Sequence, residues 1–200
     1  VWVKHGDVDI MSVLDGYALT KVSVSSSSRR VHGTQSGQAW ALHPLGLEQY
    51  KDGRWIVHAL EELQRLSSRE RSATGLLPVG DQRVLLLLPD RILEYQADTR
   101  LTRVVKKVAE TALGRFIEIA GARDGGAWVT GRDGVGKLTG VAAAGKHPGW
   151  WEVPIGLPGF TTLRQPFEGE RGELFVVASS VPNRNQTLVR YDGQGWQIIY

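Results

Sequence analysis

The 200-residue chain is 42% hydrophobic and 22% charged, the balance of a folded soluble domain, and no apolar run is long enough to cross a bilayer as a helix. Its 24 Lys and Arg against 21 Asp and Glu leave a formal charge of +3 spread along the chain, which argues against a nucleic-acid surface. With no cysteine, disulfide scaffolds, thiolate metal sites and cysteine nucleophiles are excluded. Twenty-four glycines and seven tryptophans, against five tyrosines and four phenylalanines, predict many tight turns around recurring Trp anchors.

The elements follow in chain order. Val1-Trp2-Val3 reads as a strand, then strands near 8–14 and 17–24 flank Asp15-Gly16. The chain opens without an initiator methionine or a signal-type stretch, which predicts a segment of a longer protein. Ser25 to Ser28 with Arg29-Arg30 reads as a flexible polar connection rather than a phosphorylation or anion site. Strands near 29–34, 39–43, 47–51 and 54–59 come next, with Lys51-Asp52-Gly53-Arg54 the clearest hairpin turn. Leu60 to Leu66, apolar at 60, 63 and 66, predicts a short helix or amphipathic connection. Strands near 75–79, 84–88, 92–96 and 102–109 follow, then 115–120, 127–131, 135–139 and 150–154. The last four lie near 161–165, 174–179, 187–192 and 196–200.

These strands repeat. Taking Trp2, Trp40, Leu86, Trp128 and Phe175 as equivalent gives spacings of 38, 46, 42 and 47 residues, the length of a propeller blade. Four short strands per unit, separated by Gly, Asp, Asn or Pro turns, form an antiparallel meander. One such sheet cannot bury both its faces alone, so stacked sheets bury a Trp or Leu from each against the next. The expected fold is therefore all-β: a β-propeller segment of about four to five four-stranded antiparallel blades, near 1–26, 27–60, 72–110, 114–155 and 160–200. The predicted role of Trp40 and Trp128 is packing between blades. The first blade lacks an innermost strand in this register, which predicts that the native protein continues beyond both ends to close a larger ring, and that the isolated chain either self-associates or hides its exposed faces in another way.

Gly37-Gln38-Ala39-Trp40-Ala41, followed by Gly46-Leu47-Glu48-Gln49-Tyr50, resembles the two-component regulator propeller repeat. Gly125-Gly126-Ala127-Trp128-Val129-Thr130-Gly131 and Leu14-Asp15-Gly16-Tyr17 are similar to other parts of that pattern; the unit at 81–95 departs from it, with Leu in place of Trp. The resemblance implies a periplasmic or extracytoplasmic sensor module attached to a kinase, cyclase or similar output domain. The repeat is a packing motif, so it assigns no catalytic, cofactor, metal or ligand-binding residue.

Three other patterns carry less. Gly131-Arg132-Asp133-Gly134-Val135-Gly136-Lys137 nearly matches a phosphate-binding loop, but Leu138 stands where a Ser or Thr must ligate Mg²⁺, so it reads as a blade turn. His5, His32, His43, His58 and His147 show no metal-ligand spacing, and surface or turn positions are expected for them. Glu61-Glu62 and Glu168 with Glu170 are carboxylates close to one another in sequence, on segments read as linkers. The function expected is ligand recognition or signal relay without catalysis, the partner being a small molecule, a carbohydrate-like ligand or a protein, and not nucleic acid. A propeller lyase or hydrolase and an interaction scaffold are the alternatives, because the fold hosts all three.

Overall fold

A computed structural model describes residues 2–5, 10–14, 16–24, 31–34, 36–141, 148–180 and 185–200. The expectations for residues 8–9, Asp15, Ser25 to Arg30 and His147 lie outside them. The strands are β1 (Trp2–Lys4), β2 (Ile10–Leu14), β3 (Leu19–Ser23), β4 (Val31–Gly33), β5 (Ala39–His43), β6 (Gly46–Lys51) and β7 (Arg54–Ala59). After helices α1 (Glu61–Gln64) and α2 (Ser68–Ala73) come β8 (Gly75–Pro78), β9 (Arg83–Leu87), β10 (Arg91–Gln96) and β11 (Leu101–Lys107). Next are β12 (Phe116–Gly121), β13 (Ala127–Gly131), β14 (Gly134–Thr139) and β15 (Gly149–Pro154). The last are β16 (Phe160–Glu168), β17 (Leu174–Ser180), β18 (Gln186–Tyr191) and β19 (Trp196–Ile198).

They form one three-stranded sheet, β1-β2-β3, and four four-stranded sheets in which each strand pairs with its neighbour in sequence. The meander follows from the turns. At Asp52-Gly53 both residues take positive φ, 51° and 79°, the conformation a two-residue hairpin needs to match strand twist. Asp192-Gly193 behaves differently: Tyr191 pairs with Trp196 across four residues, and the Asp192 carboxylate accepts the amides of Gln194 and Gly195, both at 3.0 Å. An Asp that caps its own turn in this way does not force a two-residue loop. The stretch from Leu60 forms α1, anchored by buried Leu63, and α2 starts on a capping box between Ser67 and Glu70.

The chain forms two compact units, Val1–Val84 with Tyr95–Leu101 and Leu85–Glu94 with Thr102–Tyr200. In the first, Trp40 is fully buried, 5.4 Å from the His58 ring and edge-on to Tyr95 of the following sheet at 6.4 Å. In the second, Trp128 packs with Val135 of its own sheet and with Leu163, Leu174, Val176, Ala178 and Val189 of the next. Both tryptophans thus fill space between consecutive sheets. The degenerate repeat needs one correction. Three residues separate Trp40 and Trp128 from the two-residue turns at 44–45 and 132–133. In the third sheet the Leu88 amide bonds the Arg91 carbonyl around Pro89-Asp90, so the matching residue is Leu85 and not Leu86. The neighbouring spacings then become 45 and 43 residues.

The outer strands carry a second Trp position. Trp55 and Trp196 each pair with a tyrosine, Tyr50 and Tyr191, at ring distances of 5.3 Å. Each indole N–H donates to the last carbonyl of the preceding sheet's outer strand, Ser23 at 2.6 Å and Pro154 at 2.9 Å. In the fourth sheet this place is Trp150, which lies over Gly136, where any Cβ would meet the indole at 2.3 Å.

Candidate functional site

The polar residue paired with each packing tryptophan builds a clamp. In β6, Gln49 lies opposite Trp40; its Nε2 donates to Gln38 Oε1 and to the carbonyl of Asp81, both at 2.8 Å, and its Oε1 faces His58 Nε2 at 3.2 Å. The Tyr95 hydroxyl lies 2.9 Å from His58 Nδ1, so the chain closes if Tyr95 donates and Nε2 carries the imidazole proton. Burial, aided by the Arg100 charge, holds His58 below its ordinary value, and burial raises Tyr95, so both stay neutral near pH 7.

In β14 the same place is Lys137, opposite Trp128. Its ammonium lies 2.9 Å from Asp124 Oδ2, 3.8 Å from Glu168 Oε2 and 4.7 Å from the centre of the Trp128 ring. Glu168 Oε2 also accepts Trp128 Nε1–H at 2.8 Å and the Arg123 amide at 3.1 Å. Burial pushes the Asp124 carboxyl up, but the Lys137 ammonium and the Gly126 amide more than offset this and hold it below the usual range.

Above this clamp lies a hollow of about 510 Å³ between the fourth and fifth sheets. Trp128 and Lys137 form its floor, and Trp151 and Tyr191, 6.1 Å apart, form an aromatic wall. Trp151 is 42% exposed and its ring packs T-shaped with that of buried Trp128 at 5.6 Å, so a partly solvent-accessible indole rests on a buried support. Thr139, Arg171, Glu173 and Asp192 supply a polar rim of both charge signs. Two turns with glycine at positive φ, Gly172 at 83° and Gly193 at 98°, complete the mouth. Such a surface offers a flat apolar platform beside hydrogen-bonding groups, the arrangement of a small-ligand pocket.

The residues flagged in the sequence fall in different places. Gly131 to Lys137 is the hairpin between β13 and β14, with Arg132 and Asp133 paired at 2.8 Å in the turn. A phosphate at Lys137 would have to displace the carboxylate of Asp124 from its ammonium. His5 bonds Ser12 at 2.7 Å, His43 accepts the Leu45 amide at 3.1 Å, and His32 lies in β4 opposite Trp40. His58 is not a surface residue as expected but a buried hub, because its ring closes the bond chain between Gln49 and Tyr95. Glu168 is not on a linker but ends β16, and Glu61 pairs with Arg65 on α1. Among the described residues, no three His, Asp or Glu side chains are grouped to hold a metal ion. The hollow itself was missed: Thr139, Trp151, Glu173 and Tyr191 come from separate strands and turns, and only the Trp150-Trp151 pair hinted at it.

Sheets of this kind define the class: the chain is all-β, a segment of a β-propeller. No protein-family model matches it, and no curated protein does. Among solved structures it is similar to the extracellular domain assigned to a hybrid two component system of B. thetaiotaomicron, at TM-score 0.61 and 12% identity over 94% of this chain. It is also similar to regucalcin of Agrobacterium tumefaciens, a calcium-binding protein, at TM-score 0.55 and 12% identity over 96% of this chain. The chain spans 26% of the first structure and 66% of the second. Among the described residues no helix is long and apolar enough to cross a membrane.

Proposed function

We propose that the chain is part of the ligand-recognising region of a signalling protein that acts outside the cytoplasm, and that the hollow between the fourth and fifth sheets receives the ligand. The observation that carries the proposal is the half-exposed Trp151 indole, held beside Tyr191 over a buried Trp128 and ringed by groups of both charges. A small hydroxylated ring of the carbohydrate kind matches it: its C–H face lies on the indole and its hydroxyls meet Thr139, Glu173 and Asp192. The rim carries donors and acceptors together, which suits a neutral ligand that is both. The likeness in fold to an extracellular two component domain supports the sensing role.

Tryptophan fluorescence of the chain titrated with neutral mono- and disaccharides tests this reading. Saturable change that Trp151→Ala abolishes, with the melting temperature kept, is expected. Binding that survives Trp151→Ala puts the site elsewhere, and a chain that answers to none of these sugars removes the carbohydrate reading. A membrane span followed by a kinase or cyclase in the parent sequence would support the signalling role.

A further inference from the structure

A strand covered on both faces reads as continuously apolar, whereas one covered on a single face alternates. The second strands of the second and fourth sheets are covered on both faces: Ala39, Trp40 and Ala41 in β5 and all five residues of β13 are buried. In β17 the sequence Leu174-Phe175-Val176-Val177-Ala178 is just as apolar, yet only Leu174, Val176 and Ala178 are buried, against the fourth sheet. Phe175 and Val177 point the other way. Their cross-strand partners Arg190 and Leu188 share that face, as does Phe167, which pairs with Phe175 and is 66% exposed.

Register says what this face is. Phe175 with Arg190 occupies the place of Trp128 with Lys137 and of Trp40 with Gln49, and Val177 with Leu188 the place of Thr130 with Val135. In both earlier pairs the polar partner reaches the next sheet in the chain: Gln49 donates to the Asp81 carbonyl, and Lys137 faces the Glu168 carboxylate at the end of β16. Among the described residues Arg190 has no such acceptor on another sheet, and its charge acts on the Asp192 carboxylate of its own sheet. Its Nη2 donates to Gln197 within the sheet at 2.7 Å, while its Nε is buried without a hydrogen-bond partner among the described residues, an arrangement native proteins avoid.

We propose that the Phe167, Phe175, Val177 and Leu188 face is a docking surface for a further antiparallel sheet of the same repeat type. That sheet presents an apolar face and a carboxylate at the end of its inner strand, and the carboxylate binds Arg190 as Glu168 binds Lys137. The mixed apolar and cationic character of the face, and the two filled copies of the same contact in this chain, select this occupant over a ligand or a lipid surface.

The test uses the whole chain, extended at its C-terminal end by a second copy of residues 155–200, which carries both the required apolar face and its own Glu168. The expected result is a melting temperature raised by roughly 5 °C or more, with hydroxyl-radical labelling of Phe167 and Phe175 suppressed in the original sheet. Arg190→Gln, or Glu168→Gln in the appended copy alone, removes most of the rise. An unchanged melting temperature with Phe167 and Phe175 as reactive as before overturns the docking surface. A rise that neither substitution reduces overturns the acidic contact.

Discussion

Glu168 is the sharpest place to perturb the second unit, because one carboxylate oxygen serves Trp128 Nε1, the Arg123 amide and the Lys137 ammonium. Glu168→Ala leaves two donors without this acceptor and Lys137 with Asp124 alone. The stranded Trp128 indole donor costs about 1–3 kcal/mol, the Lys137 contact at 3.8 Å adds less, and water replaces the carboxylate at the exposed Arg123 amide, so a total of about 2–3 kcal/mol is expected. Glu168→Gln keeps an oxygen for the indole but gives up the charge, and about 1–2 kcal/mol is expected. Urea unfolding followed by tryptophan fluorescence measures both. The same loss for the two variants, or less than about 1 kcal/mol for Glu168→Ala, would refute the view that this oxygen organises the clamp.

Trp40→Ala empties a fully buried inter-sheet site and should cost about 3–5 kcal/mol by thermal or urea unfolding; an unchanged melting temperature would show that the indole does not pack the sheets. Gly136→Ala drives a methyl into the Trp150 ring and should cost about 1–3 kcal/mol, whereas Gly53→Ala meets no atom and acts only through its positive φ; equal melting temperatures for Gly136→Ala and the parent chain would contradict the close approach. His58 is held below its ordinary value of 6.5 by burial first and by Arg100 second, so the unfolded chain takes up its proton before the folded one. Its contribution is therefore full above about pH 6.5 and is lost as pH falls below that value towards the folded pKa. Melting temperatures between about pH 5 and pH 8 should fall on the acid side, and a His58→Gln chain showing the same fall would assign the effect to other groups.

The repeat was legible in the sequence because a meander is local: each strand pairs with the next, and Gly turns with apolar runs mark nearly every boundary. Strands β5 and β13 lie at the residues expected, and only the degenerate third unit slipped, by one residue, since the apolar run from Val84 to Leu88 offers no Trp to set the register. Packing of Trp40 and Trp128 followed from the same logic, for an indole repeated at blade spacing has to be buried by the next sheet. What the tertiary structure alone decided is which polar groups converge. Lys137, Asp124 and Glu168 are 13 to 44 residues apart, and His58 meets Tyr95 across 37. Periodicity in sequence determines which face a side chain takes, but not which distant side chain lies opposite it once two sheets pack. The hollow beside Trp151 and the uncovered face beside Arg190 are both consequences of that packing.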